Sequence, residues 1–140
     1  MGLGHRRHAI YVAKSASTGL QRGGWSALDV NTGAILWTTS DPGLPSPFFP
    51  PEFGIYGYSA QGPVSTANGL VYACSLSFGG PMVAMDSATG DIRWKRDSGA
   101  SCIGGAAISQ GTVFWGTGYR AFAPLSTPGE RLFAFTPGGS

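Results

Sequence analysis

Apolar and polar positions along this chain fall into short β-rich runs, each closed by a turn signal. Ile10-Tyr11-Val12-Ala13 is the first such run, and Trp25, Ala27 and Leu28 lead into a second that stops at Asp29. Ile35-Leu36-Trp37 returns from it. Four further runs read as a set: Gly62 to Thr66, Leu70 to Ser75, Met82 to Asp86 and Ile92 to Arg96. Three more follow at Gly104 to Ser109, Thr112 to Trp115 and Arg131 to Phe135. Asn68-Gly69 is a two-residue hairpin signal, and Gln110-Gly111 occupies the same place in the last set. The expected strands therefore come as three, four and three.

Two of these turns belong to one repeated phrase. Ala27-Leu28-Asp29-Val30-Asn31-Thr32-Gly33-Ala34-Ile35-Leu36-Trp37 is echoed by Ala84-Met85-Asp86-Ser87-Ala88-Thr89-Gly90-Asp91-Ile92-Arg93-Trp94, with Ala, Asp, Thr, Gly, Ile and Trp in register. In each copy the Asp can bond the backbone two residues on, and the Gly supplies the positive φ of a tight hairpin. The Trp ends the phrase. Recurrence at roughly fifty residues is the mark of stacked units, and units made of short strands are β-propeller blades. Trp37 and Trp94 are read as packing residues that wedge between blades, each indole finding a backbone partner.

The expected fold is all-β: a partial β-propeller of four-stranded antiparallel blades, about two and a half in number, over residues 9–140. The blades fall at about 9–40, 62–97 and 104–136, and residues 1–8 form a disordered end. A closed propeller needs at least four such sheets, and 140 residues are too few for that. The chain is thus expected to begin at the second strand of one blade and stop before the fourth strand of another. Its partners would be the remaining blades of a larger propeller, or further copies of itself.

Composition sharpens this picture. Charged residues are 11% of the chain and hydrophobic residues 42%, with 23 glycines, a profile of short strands and many turns rather than disorder. The net charge is +2, and the one basic cluster is His5-Arg6-Arg7-His8, so no nucleic-acid surface is expected. No apolar run is long enough for a membrane-spanning helix, and Met1 to His8 has no signal-peptide core. Cys74 and Cys102 can be read as one bridge between neighbouring blades or as two small buried hydrophobes, and the second is preferred. Asp41, Glu52, Asp97 and Glu130, the acidic residues outside the repeated phrases, are read as solvated loop charges. Residues 41–63 carry six prolines interleaved with Phe48, Phe49, Phe53, Tyr56 and Tyr58. So proline-rich a connector is no central strand, and it reads equally as a lid over a central pocket or as an aromatic-anchored surface loop.

The pattern Ala-x-Asp-x-x-Thr-Gly-x-x-x-Trp at 27–37 and 84–94 resembles the tryptophan-docking repeat of quinoprotein dehydrogenases. The flanking words Gly62-Pro63-Val64, Ala67 to Ala73, Trp115-Gly116-Thr117-Gly118-Tyr119 and Leu132-Phe133-Ala134-Phe135 are more narrowly similar to the carboxy-terminal part of polyvinyl-alcohol-dehydrogenase-like proteins. This resemblance covers most of the chain from about residue 8. It implies a fragment of an enzyme that oxidises small or polymeric alcohols with pyrroloquinoline quinone and calcium, inactive alone because a pocket between blades needs all of them. It also implies an extracytoplasmic location. Arg120 would be the partner of the quinone's carboxylates, with Trp115, Tyr119 and Tyr58 as aromatic surface beside it. No acidic residue matches the family's catalytic base or calcium ligands. Because the same repeat also builds propellers without a cofactor, a non-catalytic scaffold with 41–63 as contact surface is the alternative.

Overall fold

The structure, a computed structural model, describes residues 8–15, 22–44, 60–119 and 127–137. Every regular element among them is a strand. β1 (Ala9–Lys14), β2 (Gly24–Asp29) and β3 (Ile35–Ser40) form a three-stranded sheet in that order. β4 (Ser65–Ala67), β5 (Leu70–Cys74), β6 (Pro81–Asp86) and β7 (Ile92–Asp97) form the second, four-stranded sheet. β8 (Ala107–Ser109), β9 (Thr112–Gly116) and β10 (Leu132–Phe135) form the third. All pairings are antiparallel, and the sheets pack face to face as a partial β-propeller.

The first strand of the second and third sheets begins later than the sequence suggests, at Ser65 and Ala107. Pro63 has no N–H to give a ladder. Gly62 also lies so close to the Ile103 carbonyl that a side chain there would overlap it. The segments before both strands are therefore used for packing one connector on another.

The two repeated phrases fold alike. Asp29 Oδ1 accepts from the N–H groups of Asn31 (2.8 Å) and Thr32 (3.0 Å), while Asp86 Oδ1 accepts from Ala88 (2.9 Å) and Thr89 (3.3 Å). Gly33 and Gly90 close the turns with φ of 71° and 78°. A bulge follows Ala27 in one copy and Ala84 in the other, leaving Trp37 opposite Ala27 and Trp94 opposite Ala84.

Between the first and second sheets, Tyr11, Trp25, Ala27 and Trp37 pack against Val71, Ala73, Val83 and Met85. Trp37 is 9% exposed. Its indole donates to Ser87 O of the next sheet's turn at 3.0 Å, and the Tyr11 hydroxyl donates to the same carbonyl at 3.3 Å. The Thr39 hydroxyl donates to Gly90 O at 2.5 Å. A Cβ on Gly90 would stand 2.6 Å from the Trp37 ring. Glycine is thus required there twice, for its backbone angle and for the approach of the ring.

The second and third sheets meet differently. Tyr72, Cys74 and Met82 face Val113, Trp115, Phe133 and Phe135, but Trp94, at the position of Trp37, is 37% exposed. Phe135 opposes Val113 as Met85 opposes Val71, and its ring meets Trp94 edge-on with centroids 4.8 Å apart. Trp37's indole finds its backbone acceptor as expected, whereas the described residues offer none to Trp94. After Phe135 the chain reads Thr136-Pro137-Gly138-Gly139, without the Asp that builds the turn in the other copies. Arg96 covers the rings of Phe133 (5.5 Å) and Phe135 (5.8 Å) instead. A cleft of about 200 Å³ lined by Leu70, Tyr72, Trp94, Val113 and Phe135 stays open beside them.

Cys74 and Cys102 form a disulfide, which corrects the preference for two unpaired buried thiols. Both are buried as expected, at 2% and 1% exposure. The pairing has a local cause: the Cys102 N–H bonds to Ser75 O at 3.0 Å, laying the connector after β7 alongside the end of β5. The two Cα atoms are thereby held 5.6 Å apart, within the range a disulfide spans.

Replacing Trp37 by Ala should destabilise the protein by about 3–5 kcal/mol, and replacing it by Phe by about 1–2 kcal/mol for the lost indole bond. Trp94→Ala should cost clearly less than Trp37→Ala. Urea unfolding followed by circular dichroism checks the order.

A second expectation concerns Asp86. The Ala88 N–H first, and then the Arg93 guanidinium, hold its carboxyl below its ordinary value of 3.8 against the opposing effect of desolvation. Its contribution to stability is therefore complete above that unfolded-state value and is lost as pH falls through the lower folded-state value. Asp86→Asn should flatten the acid limb of the stability curve and leave the slope above pH 6 unchanged.

Candidate functional site

The hairpin turns after β2, β4, β6 and β8 are tight and lie along one face of the stacked sheets. The described parts of the connections after β1, β3, β5, β7 and β9 lie along the other, and all of these but the β5–β6 hairpin are long. On this second, long-loop face lie the described ends of the connector, 41–44 and 60–63, and the segment Thr117 to Tyr119.

Asp41 opens the connector. Instead of being a solvated charge it is 2% exposed. Its Oδ1 accepts from the Gly43 N–H at 2.8 Å and the Ser77 hydroxyl at 3.3 Å, and its Oδ2 accepts from the Ser75 hydroxyl. Arg22 closes over the turn through Asp41 O (3.1 Å) and Gly43 O (3.2 Å). Asp-Pro-Gly is a turn in which the carboxylate bonds the backbone two residues on. Here the second oxygen reaches across to the β5–β6 hairpin, and the added bonds allow the carboxylate to be buried. Asp97 and Glu130 are exposed as expected, with Asp97 paired to Lys95 at 3.4 Å; Glu52 lies outside the described residues.

Ser75 also serves the next connector. Its carbonyl accepts from Cys102, as above, and the Ser101 hydroxyl donates to Leu76 O at 3.2 Å. Ser101 then holds the loop that follows β9. Its N–H bonds Thr127 O (2.8 Å), its hydroxyl accepts from Thr127 N (2.7 Å), and its carbonyl accepts from Gly118 N (3.0 Å) and Tyr119 N (3.4 Å). Ser75 and Ser101 are fully buried.

The four residues expected at a binding site stand as follows. Trp115 is 1% exposed, beneath the disulfide, with its indole donating to Gly104 O at 2.8 Å. Its ring therefore supports the connector from inside and offers no open aromatic surface within this chain. Tyr119 is partly buried on the segment fastened by Ser101. Arg120 and Tyr58 lie outside the described residues, as does most of the Pro- and Phe-rich connector.

Sequence reasoning missed Asp41, Ser75, Ser77 and Ser101. The Asp-Pro-Gly turn signal was visible, but serines that bond to a chain segment far away in sequence leave no local pattern. Trp25 was read as a strand residue only. It is 1% exposed, and its indole N–H is a buried donor that finds no acceptor among the described residues.

The described part of this face can hold and orient; it has no assembled proton-transfer pair. The hydroxyls of Ser75, Ser77, Ser98 and Ser101 are committed to carbonyls or to Asp41. Among the described residues, no three His, Cys, Asp or Glu side chains converge as a cation site. The arrangement ties 41–44, 75–77, 101–102, 118–119 and Thr127 together by hydrogen bonds.

No protein-family model and no curated sequence matches the chain. Solved structures do. The quinohemoprotein alcohol dehydrogenase from Comamonas testosteroni is similar over 80% of this chain, with a TM-score of 0.54 and 21% identity. A europium-containing methanol dehydrogenase is similar over 91%, with a TM-score of 0.58 and 17% identity. A quinohemoprotein alcohol dehydrogenase from Pseudomonas putida HK5 is similar over 79%, with a TM-score of 0.51 and 19% identity. This chain spans 16%, 21% and 16% of their respective lengths. At such identities the likeness is one of fold: the chain has the fold of a short arc of the β-propeller found in these dehydrogenases.

Proposed function

We propose that this chain is an arc of a quinone-dependent alcohol dehydrogenase propeller of the polyvinyl-alcohol-dehydrogenase-like type. Its complete form oxidises the hydroxyl groups of a small or polymeric alcohol, and the arc alone does not turn over. The observation that carries the reading is the seat of Trp37 on the Ser87–Gly90 turn. There the repeated phrase does the inter-blade fastening that a tryptophan-docking repeat exists to do. The neighbouring dehydrogenase structures are consistent with it.

Pyrroloquinoline quinone, when bound, supplies a hydride acceptor. In this reading Arg120 pairs with its carboxylates, and Tyr119 and Tyr58 contribute aromatic surface. Trp115 supports the connector from below. The described residues suit the first part of that role, because Ser101 fixes the backbone at Tyr119, next to Arg120. Among the described residues no calcium site is assembled, and in this reading the cation's ligands come from outside them. The disulfide supports an extracytoplasmic location, where such bonds persist.

A second reading is a non-catalytic scaffold. It is favoured by the absence of an assembled acid–base pair on the described long-loop face. Titrating the complete native protein with pyrroloquinoline quinone and calcium in a calorimeter, and following alcohol-dependent dye reduction, separates the two. The dehydrogenase reading predicts calcium-dependent stoichiometric binding, weakened at least tenfold by Arg120→Ala. Failure of the complete protein to bind the quinone would leave the scaffold.

A further inference from the structure

Residues 74–77 touch both connectors of the long-loop face. Cys74 is bonded to Cys102. Ser75 bonds Asp41 through its hydroxyl and Cys102 through its carbonyl. Leu76 O accepts from Ser101, and Ser77 reaches Asp41 Oδ1 at 3.3 Å. From Ser101, four hydrogen bonds run on to Gly118, Tyr119 and Thr127. The loop that bears Tyr119 is thus fastened at both ends to one residue, and that residue is the neighbour of a disulfide half-cystine.

The remaining fastenings between the second and third sheets are weaker than those between the first and second. Trp94 is 37% exposed where Trp37 is 9%, and a cleft of about 200 Å³ opens beside it. The turn-face end of this interface is loosely closed. The disulfide lies at its opposite, long-loop end, over Trp115.

We propose that the Cys74–Cys102 disulfide is a positioning device. It holds Ser101, and through Ser101 the backbone at Gly118, Tyr119 and Thr127, in the hydrogen-bonded geometry described above, so that this geometry is acquired only on oxidation. The step is thiol–disulfide exchange with a disulfide-bearing oxidant. The two thiols lose two protons and two electrons, one sulfur–sulfur bond forms here, and the oxidant leaves as a dithiol. Because both sulfurs belong to buried residues, the bond is shielded from attack once formed. It acts as a maturation step and not as a reversible switch. The proposal stands whatever ligand the face takes.

Amide hydrogen exchange on the complete native protein tests it without reference to activity. In a Cys74→Ala/Cys102→Ala variant, the amides of Ser101, Gly118, Tyr119 and Thr127 should exchange at least tenfold faster, while those of Val71, Val83 and Met85 stay within twofold. Ser101→Ala, which keeps the disulfide, should accelerate Thr127 and leave Cys102 unchanged. Unchanged exchange at Gly118 and Thr127 in the double variant would overturn the proposal. So would an equal rise at both sets of amides, or failure of that variant to fold, since the bond would then hold the whole domain together rather than position a loop. If Ser101→Ala left Thr127 unaffected, the route through Ser101 would be wrong.

Discussion

The stacking of these sheets depends on one steric constraint: the edge of each must bury a large ring against the main chain of the next. Trp37 achieves this because Gly90 has no side chain, Ser87 offers a carbonyl, and Asp86 fixes the turn that presents both. The bulge after Ala27 sets the ring at the right place along its strand. A hydrophobic face alone would let twisted sheets slide over each other. A ring hydrogen-bonded to a fixed carbonyl gives the interface one register.

Where that constraint is relaxed, other interactions take its place. The third sheet lacks the Asp-built turn, and Phe135 occupies the seat that Met85 leaves for a tryptophan. Trp94 is left half-open, Arg96 lies over two phenylalanines, and a disulfide closes the far end of the same interface. The two interfaces are therefore one design fastened at different ends. The long-loop face inherits its order from the second arrangement, since Ser75 and Ser101 flank the half-cystines and hold both connectors.

Much of the fold was legible because its signals are local. Asp at the head of the turn and Gly at its close identify the two repeated hairpins, and Asn68-Gly69 and Gln110-Gly111 identify two more. The repeat then shows that the hairpins are equivalent. The late starts of β4 and β8 were hidden because they depend on Gly62 approaching Ile103, residues that meet in space but not in sequence. The disulfide and the burial of Asp41 were hidden for the same reason. Cys102 is brought to Cys74 by a backbone hydrogen bond between a connector and a strand end, and Asp41 finds its second partner on a hairpin 34 residues away. Of the candidate site, Tyr119 lies on the segment after β9, where the sequence expected a loop between strands. The sequence could not show that Trp115, in the same glycine-rich phrase, points inward, because a strand's two faces look alike until its partners are known.

The central claim is that these sheets are an arc of a larger ring. It is tested most directly by the intact mass of the native polypeptide. The account predicts a mass several times the 14.5 kDa of this chain, large enough for the blades that would cover the outer faces of β1 and β9. A native polypeptide of 14.5 kDa that is monomeric in solution would contradict it.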